Sequence, residues 1–559
     1  MRRKSCDKTV KKQSNIQNGA AILLLTAVIT KVIGALFKIP LASAACLGDI
    51  GFGYFSSAYD LFSPIYSLAV AGLPVAVSKT VSEYAARSRY NDVRSSLAHS
   101  LKLYTAVGAL GTVALAIAVI PFVKLTDAAD NNMFAFFALA PSFFFCCVIS
   151  AYRGYYEGLL NMRPAAFSEL IEALCKLLLG YFAAYFTVKL TNDAALGAGA
   201  AILGITVGTA AAALYLRLYN RIKGDGITAV QIAESPAEED GTGALKGLML
   251  ISLSVAAASL SNNIPLIADA VTVKRSLSGL NYEAVYNIRN IYDADYSAAD
   301  ISVLQLPVFL YGIKSKVHTV FNIVPSFISV LAVGVVPVIS ACFAENAPER
   351  LKLNVNSALK LSCIISFPAG IGLIVLNGRV TGLLYGGAYP AAAGTMAVIF
   401  GAAAVFAGPA VLLTAVLQSV GKQNTALINI AVGTVIKFFV NLTVGIEAVN
   451  INGAALGTLA FYVAVVSLNL ISLVRLKIKP DVFGSIIKPF ASAGACGAAA
   501  YAVTLIGDGK TVTVTAILLA AFVYLAALIL FKTLKESDIS ILTKSKSVVK
   551  FCKKHRIIC

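Results

Sequence analysis

The sequence predicts an all-α polytopic membrane protein of about fourteen transmembrane helices, built as two six-helix lobes related by a parallel pseudo-two-fold repeat plus a C-terminal helix pair. Three observations carry this. The 559 residues are 58% hydrophobic and only 13% charged, where soluble domains carry about 25% charged residues. Apolar runs of roughly 20 residues, the length a helix needs to cross hydrocarbon, recur from end to end. Short motifs of the first half return in the same order in the second. The alternating polarity of a membrane β-barrel is absent.

Taken in order, the first span covers 18–41 and contains VITKVIGALFKIPLA, with Lys31 and Lys38 two turns apart on one helix face. A basic start followed by an apolar run and ASAAC resembles a signal peptide, but the run is long and interrupted by both lysines, so a retained span is expected. Five more spans follow at 51–78, 97–123, 132–160, 165–188 and 194–220, and together they make a lobe over 1–222. The polar stretch KGDGITAVQIAESPAEEDGTG reads as a cytoplasmic linker over 223–243. The second lobe, 244–478, holds spans at 244–271, 315–341, 353–377, 390–419, 424–446 and 452–475. A helix pair at 484–506 and 511–532 fills 479–535, and 536–559 is a basic cytoplasmic tail.

IPLA at 39–42 returns as IPLI at 264–267, and VAGLPVAVS at 70–78 returns as VGVVPVISA at 333–341, which sets Pro74 opposite Pro337. LLNMRPAAFSELIEALCKLLL aligns with VGKQNTALINIAVGTVIKFFV and pairs Lys176 with Lys437. An even number of spans per half gives repeats of parallel topology, for which substrate is expected between the halves near mid-membrane.

The formal net charge is +18, concentrated at the two ends and in a few loops. In a membrane protein this places both termini in the cytoplasm, beside anionic lipid, and needs no nucleic acid partner. The ten cysteines and three histidines show neither disulfide nor metal-site spacing, so no metal and no cofactor are expected. GDGKT at 507–511 lacks the first glycine of a P-loop, with Thr504 in its place, which sets aside an ATP-driven pump.

Ionisable residues inside the membrane are functional candidates, each with a structural alternative. Lys31 lies mid-span and reads as a cavity cation or a residue paired within a water-filled site. Lys38 is near the outer end, where it can snorkel. Lys437 is mid-span with no acidic residue in its helix. Lys176 has Glu172 four residues earlier, and Arg153 has Glu157 four residues later, so both can be locally neutralised. Lys314, Lys316 and His318 open the eighth span from outside, as exit-side residues or as a solvated helix end.

TKVIGALFKIPLA, SPIYSLAVAGLPVAVSKTVSEYAARSR, YRGYYEGLLNMRPAAFSELIE and LPVFLYGIKSKVHTVFNIVPSFISVLAVGVVPVIS together resemble the multidrug/oligosaccharidyl-lipid/polysaccharide exporter superfamily. The resemblance is to its stage V sporulation protein B and lipid II flippase branch and covers nearly the whole chain. It implies two six-helix lobes in a V, a central cavity, alternating access, and export of an undecaprenyl-diphosphate-linked saccharide. It also implies a groove for the lipid tail along the last two spans, with membrane lipids and cell-wall synthesis proteins as partners. Lipid II flippases carry an arginine in the segment matching TKVIG, where Lys31 stands. They also carry arginines in the second span, whereas SPIYSLAVAGLPVAVS is uncharged until Lys79. On this resemblance Lys31, Lys38 and Lys437, with Lys176 and Arg153, form a cationic site for the diphosphate.

The alternative is a cation-coupled multidrug antiporter of the same fold, which needs a buried carboxylate; Asp60 in SSAYDLFSPIY is the ion-coupling candidate, with Asp269 behind it. A membrane enzyme would need paired carboxylates, and the external YDADYSAAD (Asp293, Asp295, Asp300) has no acceptor or histidine motif beside it, so the chain reads as a non-enzyme.

Overall fold

The computed structural model describes residues 25–43, 45–67, 72–125, 133–236, 263–280, 305–386 and 391–535, with isolated positions such as Ser252 and Asp538. The N-terminal basic segment, most of the seventh span, the YDADYSAAD loop and most of the basic tail lie outside the described residues.

The chain divides into two compact units, Met1–Ala270 and Val271–Cys559. In the first, helix α1 covers 25–41 and is followed by α2 (Gly48–Ser67), α3 (Leu73–Ala86), α4 (Tyr90–Leu125) and α5 (Met133–Gly158). Next comes one continuous rod: α6 (Met162–Cys175), a π-helical turn (Lys176–Gly180) and α7 (Tyr181–Thr191). Two long and short pieces complete the series, α8 (Ala194–Lys223) and α9 (Ala229–Ala233). A further helix, α10, runs over 263–278 across the division.

The second unit contains α11 (Leu306–Phe321), α12 (Ile323–Ala344), α13 (Pro348–Leu376), α14 (Gly378–Tyr385), α15 (Ala391–Ser419), α16 (Gln423–Asn441), α17 (Asn452–Arg475), α18 (Val482–Thr504) and α19 (Lys510–Leu530). Among the described residues the secondary structure is helical, and eleven helices are long and apolar enough to cross a membrane by length and composition.

Local sequence explains the turns. Asn192 ends α7 in the left-handed region (φ 52°), and Asp193 then accepts hydrogen bonds from the Ala195 and Leu196 N–H groups at 2.8 and 3.2 Å, starting α8. A cap of this kind is worth about 1 kcal/mol and makes α7 and α8 neighbours. In the first unit α5 lies at the centre, packed against α3, α4 and α8. Glycine permits the tightest of these approaches. A Cβ on Gly154 would sit 2.4 Å from the Pro74 carbonyl oxygen, and one on Gly204 would sit 2.2 Å from the Gly180 Cα. The second of these seats α8 directly on the π turn, the small-residue packing that membrane helices use where a hydrophobic driving force is lacking.

In the second unit α15 packs against α12, α13 and α17, and α18 packs on α13. The C-terminal pair is tied in by polar contacts. The Tyr524 hydroxyl donates to the Ile364 carbonyl at 2.6 Å, and Arg379 donates to the Thr504 carbonyl at 3.2 Å and pairs with Asp508. Beyond α19, Asp538 accepts from the Lys360 ammonium of α13 at 2.9 Å, with both residues buried.

The eighth span differs from its sequence reading. Expected at 315–341, it is two helices, α11 and α12, joined at Asn322. Hydropathy places a helix end at the charged Lys314–Lys316 pair, but these lysines lie inside α11 and are only 1% and 3% exposed, so they are not a solvated helix end.

Candidate functional site

The first unit holds a cavity of about 290 Å³ whose wall includes Lys31, Arg153, Glu169, Glu172, Lys176 and Tyr66. Each comes from a different place in the chain: Lys31 from α1, Tyr66 from α2, Arg153 from α5, the two glutamates from α6, and Lys176 from the first residue of the π turn. The site therefore forms only when these helices pack.

Arg153 is 2% exposed. Its Nε donates to the Ser168 hydroxyl at 2.8 Å and its Nη2 donates to Glu172 Oε2 at 3.0 Å. The Tyr66 hydroxyl donates to the other oxygen of the same carboxylate. The neighbours four residues apart in sequence are thus not the pairs that form: Arg153 reaches Glu172 on the next helix, where sequence pairs it with Glu157, and Glu172 faces Arg153 and Tyr66, where sequence pairs it with Lys176. A guanidinium offers five donors in a fixed plane and is best satisfied by groups converging from a facing helix.

Lys176 instead meets aromatic rings. Its Nζ stands 4.8 Å from the Tyr59 ring centroid and 5.4 Å from that of Phe37, and donates to the Tyr59 hydroxyl at 3.4 Å. Lys38, half-buried, lies with its Nζ 4.5 Å from the same Tyr59 centroid. Four of the sequence candidates, Lys31, Lys38, Lys176 and Arg153, are therefore gathered in one region of the first unit. Asp60 adjoins Tyr59 on α2 and is half-buried.

The remaining candidates belong to the second unit. Lys437, the repeat partner of Lys176, is 3% exposed with its Nζ 5.9 Å from the Phe461 centroid. Lys314 lies over Tyr311 and Lys316 over Tyr385, at 5.1 and 5.4 Å. His318 is half-buried between Phe321 and Phe400, with ring centroids 5.6 Å away in each case. Among the described residues no group of three or more His, Cys, Asp or Glu side chains converges as a metal site would require.

Sequence alone points to Asp60 in SSAYDLFSPIY, whereas the contacts with Glu172 and Lys176 described above are made by Tyr66 and Tyr59. Their seven-residue spacing, which puts both on one face of α2, was the available signal.

A packed fold that is all-helical among the described residues, with eleven helices long and apolar enough to cross a membrane, defines the class as a polytopic membrane protein. Residues 16–343, more than half of the chain, match the family described as polysaccharide biosynthesis protein, and the chain belongs to that family. Among curated proteins of Bacillus subtilis (strain 168) it is similar to the uncharacterized membrane protein YabM, 26% identical with 82% of this chain and 80% of that protein covered. It is also similar to the lipid II flippase MurJ (21% identical, 81% of each) and to stage V sporulation protein B (24%, 75% of this chain and 76% of the other). Among solved structures, an inward-facing multidrug resistance MATE transporter of the MOP superfamily shares the fold with a TM-score of 0.57 at 16% identity, over 80% of this chain and 98% of that one. Lipid II flippase MurJ, inward closed, shares it with a TM-score of 0.55 at 16% identity, over 91% and 98%. The likeness to stage V sporulation protein B and to lipid II flippases read from the sequence agrees with these relatives.

Proposed function

We propose that this chain carries an undecaprenyl-diphosphate-linked saccharide, lipid II or a related cell-envelope precursor, across the bacterial cytoplasmic membrane by alternating access. The observation that carries the reading is the first-unit cavity on which Lys31, Lys176 and Arg153 converge. A diphosphate bears several negative charges, and ammonium and guanidinium groups in a low-dielectric wall are its natural partners. Similarity to the lipid II flippase MurJ supports the same substrate class.

In this reading the head group enters from the cytoplasmic side, where both termini lie, and meets Lys31 and Lys176. Arg153 is already engaged with Glu172, so it shapes the wall more than it contributes free charge. Lys437 is the second unit's own mid-span cation for the substrate, and Lys314, Lys316 and His318 serve the exit. The lipid tail stays in the bilayer beside α18 and α19. A drug antiporter is disfavoured because Lys31, Lys176 and Arg153 line the cavity and would repel a cationic drug.

The test is surface exposure of lipid II in bacterial cells depleted of their own flippases and expressing this chain, or its Lys31→Ala or Lys437→Ala variant, at matched levels. Exposure restored by the parent and lost in the variants is expected. A well-inserted parent that exposes no lipid II removes that substrate and turns the search to other lipid-linked glycans.

A further inference from the structure

Tyr59 stands at the meeting point of three separate segments. Lys38 arrives from α1 and Lys176 from the π turn, and both ammonium groups lie against its ring, at 4.5 and 4.8 Å from the centroid. The ring itself is held by a stack. Tyr59 lies 5.6 Å from Phe55 at an interplanar angle of 16°, and Phe55 lies 5.8 Å from Phe52 at 22°. Phe37 closes the stack edge-on to Phe55 at 5.9 Å. Phe37, Phe52 and Phe55 are fully buried, so the position of Tyr59 is set by packing.

Buried or half-buried cations in a low-dielectric wall are ordinarily matched by carboxylates. Here neither Lys38 nor Lys176 has a carboxylate at ion-pair distance among the described residues. Glu172, one helical turn before Lys176, has both oxygens occupied by Arg153 and Tyr66. The negative face of an aromatic ring attracts a cation without cancelling its charge. Two lysines held in this way keep their full field toward whatever enters the cavity that Lys176 lines.

We propose that Tyr59 is the positioning residue of the site: its ring holds Lys38 and Lys176 together while leaving both charges for a ligand of at least two negative charges. The inference rests on the function proposed above and narrows it, because a site built this way favours a diphosphate over a neutral sugar or a singly charged group. The hydroxyl is secondary. Its contact with Lys176 is a long 3.4 Å, so the ring face does the holding.

The experiment uses the purified full chain in lipid nanodiscs, with inorganic diphosphate as the probe and inorganic phosphate as comparison, read by calorimetric titration beside thermal unfolding. Tyr59→Phe is expected to bind diphosphate within about twofold of the parent, and Tyr59→Leu about tenfold more weakly. In a Lys38→Met/Lys176→Met background, Tyr59→Leu is expected to add less than about twofold, because a residue acting through two others has no effect once they are gone. A purely structural role would weaken binding equally in both backgrounds, which overturns the proposal. So does a leucine variant that binds as the parent does, or a phenylalanine variant that loses as much as leucine. Where the leucine variant does not fold, Tyr59→Phe still decides, since a loss well beyond twofold contradicts a ring-held pair. Parent protein that binds no diphosphate overturns this inference. Parent protein that binds it through these residues yet exposes no lipid II in cells overturns the transport reading and leaves this one standing.

Discussion

Arg153 and Glu172 are 19 residues apart in sequence and meet across two helices with 3.0 Å between Nη2 and Oε2, where the arginine side chain is almost wholly withdrawn from solvent. Removing one partner of a buried pair leaves the other charged and unmatched, which costs about 3–5 kcal/mol. Arg153→Gln is expected to destabilise the chain by that amount in mixed-micelle unfolding. The double variant Arg153→Gln/Glu172→Gln should recover a large part of the loss, because no lone charge remains.

The contact of α8 with the π turn makes a sharper steric prediction. Gly204→Ala places a methyl group 2.2 Å from the Gly180 Cα and 2.4 Å from its nitrogen, both backbone atoms that have no side-chain freedom to yield. Overpacking of this kind costs about 1–3 kcal/mol. Gly334→Ala in α12, where nothing lies within 4 Å of the added carbon, is the control and should be neutral or slightly stabilising. Thermal unfolding of the two variants should move apart accordingly.

Asp225, just beyond α8, gives a pH dependence. Burial pushes its carboxyl group up, but bonds from the Arg94 guanidinium, the Ile227 N–H and the Tyr155 hydroxyl outweigh this and hold it below its ordinary value of 3.8. A carboxylate depressed on folding contributes stability that is complete above the ordinary value and is lost as pH falls through the lower folded one. The 224–236 segment should therefore stay protected from hydrogen exchange at neutral and mildly acidic pH and lose protection only below about 3.8. Asp225→Asn should lose it at neutral pH. Equal protection in parent and variant at neutral pH would remove Asp225 as the anchor.

In the second unit, Asn469 links three helices. Its carbonyl oxygen accepts from Asn429 at 2.8 Å and its amide donates to the Thr414 hydroxyl at 2.9 Å. Interhelical bonds in membranes are worth roughly 0.6–2 kcal/mol each. Asn469→Leu is expected to lower unfolding stability by about 1–3 kcal/mol, including the buried Asn429 amide left short of a partner.

Most of the spans were legible because a helix that crosses hydrocarbon must show about 20 apolar residues, and this signal survives any detail of packing. Residues 194–220, 452–475 and 511–532 match α8, α17 and α19 closely for that reason. The π turn at Lys176–Gly180 was invisible, since hydropathy does not distinguish one hydrogen-bond register from another. The α11–α12 break was misplaced because Lys314 and Lys316 look like a solvated end, whereas their ammonium groups lie over Tyr311 and Tyr385 inside the fold. The cations of the site were found individually, because a lysine in an apolar run stands out. Their partners were not, since Arg153 and Lys176 have acidic neighbours one turn away in sequence and the pairs that form depend on which helix faces which.

The Lys360–Asp538 pair sets a rule for anyone shortening this protein. Asp538 lies beyond α19, yet its carboxylate answers an ammonium deep in α13 and also accepts the Lys535 backbone N–H at 2.9 Å. A truncation made just after α19, where inspection of hydropathy would put it, strands that ammonium in the interior and unpins the end of the helix pair. A purification handle attached after residue 559 leaves the bolt in place.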